Sequence, residues 1–299
     1  MYTIVERRMI VPNMHELTVR APAVAQSVKP GHFIMLRPDA LGERIPLSVA
    51  DWDREAGTVT SIFMQVGGTT AKLARLKPGD TIPTYVGPLG NETVIDNFGT
   101  VLCIGGCYGI GSIYPIARAL KEAGNRVVVL LEARSSFLLY WEDKLARAAN
   151  ASLVITRDGT KGRKGHIEKI PELMQAAGIV PDRVIVNGCT FQMMRVSEVT
   201  KPLGWKTIVN MNPIMIDGTG MCGVCRLSVG GKTKFACVDG PDFDGHAVDF
   251  DDLMARLQRF RASEAEALER WQESCRIRAE AEAEPEPVPL VGTRPAADL

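Results

Sequence analysis

From Thr100 onward the chain alternates short apolar, β-branched runs with helical periods, and this alternation narrows the choice of fold more than any other feature. Thr100–Ile104, Arg126–Leu131, Ser152–Thr156 and Arg183–Asn187 are runs of strand length, and helical stretches over Ile113–Ala123, Leu138–Ala149 and Glu168–Ala177 lie among them. Gly124-Asn125 closes the first helix, and Pro171 sits in the first turn of the third. Strand and helix at βαβ spacing predict a parallel sheet.

Residues 1 to about 97 have a different rhythm. Tyr2–Val5, Glu16–Arg20, His32–Leu36 and Thr58–Met64 are short strand-like segments, punctuated at Pro30-Gly31 and Pro78-Gly79-Asp80. They predict a small antiparallel barrel or sandwich. Residues 209–245 are rich in Gly, Met and Cys with little periodicity, so something other than a large core must order them. Phe250 to about Ala281 predicts one long helix with an apolar stripe of Leu253, Leu257, Phe260, Leu268 and Trp271, interrupted by Glu264, that packs on the body. The helix gives way to Glu284-Pro-Glu-Pro-Val-Pro, which extends rather than packs. The fold class is therefore β plus α/β, divided as 1–97, 98–208, 209–245 and 246–299.

Composition excludes several functions. Lys+Arg and Asp+Glu balance at 35 each, 45% of residues are apolar and 6% are aromatic, which fits neither disorder nor nucleic-acid binding. No apolar run approaches the ~18–20 residues of a membrane span. Met1-Tyr-Thr-Ile-Val-Glu-Arg-Arg has no apolar signal core, so a cytoplasmic location is expected. Seven cysteines, an odd number, then point to metal binding or inert burial rather than a disulfide framework.

Three of those cysteines fall within sixteen positions: Asp217-Gly-Thr-Gly-Met-Cys222-Gly-Val-Cys225, then Cys237 after eleven intervening residues. Plant-type 2Fe–2S clusters use C-x4-C-x2-C with a distant fourth cysteine. Asp217 stands at the first position, and its anionic carboxylate can take an iron's open site as a harder donor than thiolate. Gly218, Gly220 and Gly223 let the backbone curl around a compact cofactor with its amides free to donate to sulfur. A zinc ribbon, a catalytic thiol and plain buried cysteines are the competing readings.

Gly105-Gly106-Cys107-Tyr108-Gly109-Ile110-Gly111 follows a strand and opens a helix, where a dinucleotide's pyrophosphate meets backbone amides. Glu132 ends the next strand, twenty-one residues after Gly111, where an acid can hold a ribose 2′-hydroxyl. Arg134, Ser135 and Ser136 follow at once and could instead hold a 2′-phosphate, leaving NAD and NADP both open.

These residues resemble the iron–sulfur branch of the ferredoxin–NADP reductase superfamily. That branch includes the electron-transfer subunit of dihydroorotate dehydrogenase and the small subunit of NADH-dependent reduced ferredoxin:NADP oxidoreductase, also described as a sulfide dehydrogenase subunit. The resemblance covers about residues 1–260 and implies an FAD-binding barrel, a nucleotide domain and a 2Fe–2S segment in that order. It implies that Arg44 holds the FAD pyrophosphate and that Ser48 contacts the flavin, within Arg44-Ile-Pro46-Leu47-Ser48, where Leu47 replaces a frequent tyrosine. Gly67-Gly68-Thr69-Thr70 resembles the second FAD element, and Gly87-Pro88-Leu89-Gly90 the segment that closes the barrel. Gly105, Gly106, Gly109 and Gly111 match the nicotinamide loop, with Cys107 at a position usually glycine. In Asn187-Gly188-Cys189, which lies where the superfamily has Cys-Gly-Pro, Cys189 is the candidate catalytic residue. The segment Asn212–Cys222 is the most specific match, and with it the resemblance implies Asp217, Cys222, Cys225 and Cys237 as cluster ligands.

The activity so implied is electron transfer between NAD(H), with NADP(H) as the second option, and a one-electron partner through FAD and a 2Fe–2S cluster. No acid–base residue is required, in keeping with the lack of a Ser/His/Asp constellation; His32 and His166 read as ordinary residues. The implied partner is a larger subunit carrying FAD and iron–sulfur clusters, with ferredoxin reached through it and bifurcation among the modes the family offers. The alternatives are a dihydroorotate-type electron-transfer subunit, which the branch's four-cysteine pattern sets apart from Asp217, and a non-enzymatic zinc-stabilised module that senses nucleotide.

Overall fold

The β-rich first third curls into a seven-stranded antiparallel sheet. In the computed structural model, which describes residues 1–40 and 42–282, the strands are β1 Tyr2–Val11, β2 Met14–Arg20, β3 Phe33–Arg37, β4 Ile45–Asp53, β5 Thr58–Met64, β6 Thr81–Ile82 and β7 Thr84–Leu89. Their spatial order is β6-β1-β2-β5-β4-β3-β7. Alternation sets which side faces in: Leu17 and Val19 of β2, Ile34 and Leu36 of β3 and Val59 of β5 all enter one buried cluster. Short helices α1 Pro22–Ser27 and α2 Gly68–Leu73 fill two of the connections. β4 is a strand that the sequence did not announce, because Pro46 near its start and Asp51 and Asp53 near its end disguise the apolar core Leu47, Val49 and Ala50.

The alternating region forms a second seven-stranded sheet. Its first elements are β8 Thr100–Gly106, α3 Gly109–Glu122, β9 Arg126–Ala133, α4 Glu142–Arg147, β10 Ala151–Thr156, β11 Arg163–Lys164 and α5 Ile170–Ala176. β12 Arg183–Asn187, α6 Thr190–Thr200 and β13 Thr207–Asn210 follow. β14 Arg226–Val229 and β15 Lys232–Phe235 make a separate hairpin, and β16 Asp242–Asp244 returns to the edge of the sheet. The order is β11-β10-β9-β8-β12-β13-β16, parallel except where β16 runs antiparallel to β13. Val127 to Leu131 are fully buried without alternation, as strands covered on both faces must be. On one face α3 packs Ile110, Ile113 and Ile116 between the sheet and the Ala50 and Ile62 side chains of the barrel. On the other, Cys225, Cys237 and Met211 share a core with Phe33 and Met35 of β3.

The long C-terminal helix is two helices, α7 Phe250–Leu257 and α8 Arg261–Glu282, separated by a turn at 258–260. Leu253 is buried as expected, but Phe260 falls in the turn and is 47% exposed, so the apolar stripe does not continue. α8 touches α2 instead, with Lys72 Nζ lying 5.4 Å from the centre of the Trp271 ring. The Pro-rich segment from Glu284 lies outside the described residues. Among the described residues no helix is long and apolar enough to cross a membrane.

Candidate redox site

Between the two sheets lies a cavity of about 220 Å³. One wall is the start of β4, Ile45, Pro46, Leu47 and Ser48, with Ile62 and Met64 of β5; Thr70 of α2 stands beside them. The opposite wall is Tyr108 and Ser112 at the start of α3, with Asn210, Asn212 and Met215 from the stretch that leads into Asp217. The walls are mostly apolar with a few amide and hydroxyl groups, the character of a site for a flat heteroaromatic ring.

Of the expected flavin residues, Pro46, Leu47, Ser48 and Thr70 line this cavity, whereas Arg44, Gly67, Gly68 and Thr69 are not part of its wall. Register pairs Ser48 with Phe33 and Leu47 with Ile34, and the Leu47 side chain belongs to the barrel core. Arg44 is exposed in the loop that enters β4. Thr70 Oγ1 accepts from the N–H groups of Val66 and Gly67, each at 3.0 Å, and so caps its own helix. Thr69 is buried, its Oγ1 3.5 Å from Glu43. Gly67 and Gly68 are half-buried, with Trp271 Cβ 3.8 Å from where a Cβ on Gly68 would lie.

The glycine loop is tighter than a phosphate cradle alone requires. α3 begins at Gly109, so Gly109 and Gly111 belong to its first turn. A Cβ on Gly109 would lie 1.9 Å from the Asn187 carbonyl oxygen, so that glycine lets α3 abut β12. Cys107, where the family favours glycine, takes φ of 55° in the left-handed region. Its thiol lies 3.6 Å from Met64 Sδ, and burial pushes that thiol up. Cys189 is exposed at the N-cap of α6, next to Gly188. Asn187 donates from Nδ2 to Ser112 Oγ at 3.1 Å, and its buried Oδ1 has no partner among the described residues.

Two residues that sequence reading left out of the site knit these parts together. Tyr108 Oη donates to the Gly188 carbonyl at 3.2 Å and accepts from Asn212 Nδ2 at 2.9 Å, and the same Nδ2 reaches the Gly188 carbonyl at 2.9 Å. Tyr108 supplies an aromatic ring to the cavity that Leu47 does not. Both residues stood inside segments already singled out by their glycines and cysteines, which was the only signal for them. At the far end of the loop, Glu132 is buried and accepts from Arg157 Nε at 3.2 Å and Gln192 Nε2 at 3.0 Å, whereas Arg134 is exposed.

The predicted cluster ligands lie in two pairs, Asp217 with Cys222 and Cys225 with Cys237. Asp217 accepts from the N–H groups of Thr219 at 2.9 Å and Cys222 at 2.7 Å. Those bonds, with one from the Cys222 thiol, hold its carboxyl below the usual carboxylate range. Cys225 and Cys237 are buried with their Sγ atoms 3.3 Å apart, and burial followed by the Cys225 thiol pushes Cys237 up. Cys222 is exposed. Gly218 has φ of 75°, and a Cβ there would come within 2.9 Å of Leu89 and Met35, so the loop lies hard against the barrel. Among the described residues no three His, Cys, Asp or Glu side chains group so as to hold a single metal ion. One carboxylate and three thiols in two pairs would suit a two-iron, two-sulfide centre, in which each iron leaves two positions for protein, the thiols binding as thiolates.

The comparisons with known proteins follow this division. Residues 212–249 match the iron–sulfur cluster binding domain of dihydroorotate dehydrogenase B. The chain is 41% identical over 269 residues to a dihydroorotate dehydrogenase B (NAD(+)) electron transfer subunit homolog of Thermotoga maritima, covering 90% of this chain and 94% of the relative. It is 29% identical over 250 residues to the dihydroorotate dehydrogenase B (NAD(+)) electron transfer subunit of Geobacillus thermodenitrificans, covering 81% and 95%. Among solved structures, an NADH-dependent reduced ferredoxin–NADP oxidoreductase studied for flavin-based electron bifurcation superposes with a TM-score of 0.85 at 40% identity, covering 91% of this chain and 98% of that one. A Neisseria gonorrhoeae ferredoxin NADP+ reductase shares the fold alone, at a TM-score of 0.57 and 18% identity over 68% of this chain and 90% of that one.

Proposed function

The chain belongs to the family of dihydroorotate dehydrogenase B electron-transfer subunits and their homologues, and from that premise we propose that it passes electrons between NAD(H) and a larger partner flavoprotein. The cofactors are FAD, a 2Fe–2S cluster and NAD(H). Bound together, they supply exchange between a two-electron hydride carrier and a one-electron carrier, with flavin able to serve both. The observation that carries the reading is the cavity whose walls come from β4, from the nicotinamide loop and from the residues leading into Asp217. Such a wall supports a seat for the flavin next to both the glycine loop and the cluster segment, with no acid–base residue required.

In this reading residues 1–97 hold the flavin, with Arg44 and the Gly67–Thr70 turn at its phosphates and Pro46, Leu47 and Ser48 along its ring. Residues 98–208 hold the nucleotide through Gly105, Gly106, Gly109 and Gly111, with Cys189 at the nicotinamide end and Glu132 and Arg134 at the ribose. Residues 209–245 would hold the cluster through Asp217, Cys222, Cys225 and Cys237, and residues 246–299 follow. Tyr108 and Asn212 orient the cavity wall, and the apolar flanks from Ile62 and Met64 keep water from it. The partner, by similarity, carries FAD and further clusters, reaches ferredoxin and supports bifurcation. The seven free cysteines suit the reducing cytoplasm we propose for it. A dihydroorotate-oxidising partner is the second reading, favoured by the match over residues 212–249.

Anaerobic purification tests the proposal. The expected result is flavin, two irons and two sulfides per chain, a visible spectrum bleached by NADH, and a paramagnetic signal after dithionite. A colourless chain carrying zinc overturns it. Asp217→Cys should keep the cluster at a shifted potential; loss of the cluster would remove Asp217 from the ligand set.

A further inference from the structure

In the last pair of the parallel ladder between β8 and β12, Asn187 stands opposite Gly105. Carried two residues further, that register sets Cys189 opposite Cys107. Neighbouring strands lie about 4.8 Å apart, inside the span of about 4.4–6.8 Å between Cα atoms that a disulfide bridges. Contacts beyond the ladder keep the two chain segments together. A Cβ on Gly188 would lie 3.4 Å from the Gly106 carbonyl oxygen, and one on Gly109 would lie 2.6 Å from the Gly188 nitrogen. Both segments are also pinned: Tyr140 Oη donates to the Cys107 carbonyl at 2.8 Å, and Tyr108 Oη to the Gly188 carbonyl at 3.2 Å. The two thiols are free, Cys189 exposed at the N-cap of α6 and Cys107 half-buried. Burial pushes the Cys107 thiol up, and the charge of Cys189 adds to that rise, so the two groups sense one another. Cys107 holds its thiol on a backbone of φ 55°, a conformation that favours glycine.

We propose that Cys107 and Cys189 form a modification site, a dithiol that a low-molecular-weight disulfide converts into an internal disulfide. The exposed Cys189 reacts first: its thiolate attacks one sulfur of the small disulfide, the S–S bond breaks, and one small thiol leaves with the proton that Cys189 gave up. Cys107, as thiolate, then attacks the Cys189 sulfur of the mixed disulfide and expels the second small thiol, which takes the Cys107 proton. Two protein thiols and one small disulfide thus become one internal bridge and two small thiols, the pair of electrons passing to the small disulfide. Cys225 and Cys237 also lie close, with Sγ atoms 3.3 Å apart, but the proposed cluster engages both. A bridge from residue 107 to residue 189 ties the glycine loop to the start of α6, where the nicotinamide end is proposed to sit, and so slows hydride transfer. That effect on turnover rests on the proposed nucleotide seat; the bridge itself does not.

The flavin- and cluster-loaded chain, kept without oxygen and treated with oxidised glutathione, tests the proposal. Alkylation and digestion without reductant, followed by mass mapping, should show both thiols lost and a peptide joining Cys107 to Cys189. Bleaching of the flavin by NADH should slow by about tenfold or more, as hydride transfer is sensitive to small displacements, and a phosphine reductant should restore it. Cys107→Ser should stop at the glutathione adduct on Cys189, and Cys189→Ser should leave Cys107 unmodified. Two thiols that stay open to alkylation, or an adduct on Cys189 of the unaltered chain that never resolves to a bridge, overturn the site. A bridge that leaves the bleaching rate unchanged overturns its control of turnover. An untreated chain that NADH does not bleach overturns the nucleotide reading instead, and the mass map still decides the bridge.

Discussion

At the scale of single residues, the tightest constraint on the site is steric rather than chemical. Gly109 meets the Asn187 carbonyl oxygen at 1.9 Å from a hypothetical Cβ, with the Gly188 nitrogen at 2.6 Å, so backbone stands on both sides of the gap. No side-chain rotation relieves that clash, and α3 must move off β12 to accept even alanine. Gly109→Ala should therefore cost roughly 1–3 kcal/mol by overpacking, with a lower denaturant midpoint at unchanged slope. It should also weaken NAD+ binding, because the N-terminus of α3 shifts with it. Gly31, by contrast, abuts the hydroxyl and backbone of Thr93, away from the nucleotide loop, and a change there should leave NAD+ affinity alone. Calorimetric titration beside the unfolding curve separates the two sites.

At the scale of elements, the two sheets are held together by a charged and aromatic clamp. Asp51 of β4 pairs with Arg118 of α3 at 3.2 Å and with Lys144 of α4 at 2.6 Å, all three side chains being less than a third exposed. Lys144 Nζ lies 3.8 Å from the centre of the Trp141 ring and 4.4 Å from that of Tyr114, so its stem is packed even where its charge is shared. Asp51→Asn leaves two cations facing one weak acceptor and should cost roughly 1–3 kcal/mol, read as a drop in urea midpoint. Lys144→Met keeps the stem on the rings and should cost less. The parallel strands were legible in sequence because burial on both faces writes an unbroken apolar run, as in Val127–Leu131. α6 was not, because Thr190, Gln192, Ser197 and Thr200 occupy its buried face and hide the helical period. β13 has four residues, too few to show a period at all. The candidate cluster ligands could be named from sequence since all four lie within a short stretch, whereas the contact of Tyr108 with Asn212 joins residues 104 positions apart. Local spacing carries no trace of such a pair.

At the scale of the whole molecule, the cavity proposed for the flavin has no single owner. Phe33 and Met35 of the barrel share a buried cluster with Met211, Cys225 and Cys237, while Ala50 and Ile62 share another with α3. Displacing the barrel thus uncovers the cluster segment and the nucleotide sheet together. A ligand seated among all of these walls should stabilise them as one unit, since binding to the folded form adds about 2.7 kcal/mol at a hundredfold excess over its Kd. For a chain of this size that is a rise of roughly 4 °C in Tm. Flavin-stripped and FAD-reconstituted protein should therefore differ by one shifted transition, with slowed hydrogen exchange both in β4 and in β13. Protection confined to β1–β7, or two separated transitions after reconstitution, would mean that the flavin rests on the barrel alone and that Tyr108, Asn210 and Asn212 line the cavity without holding its occupant.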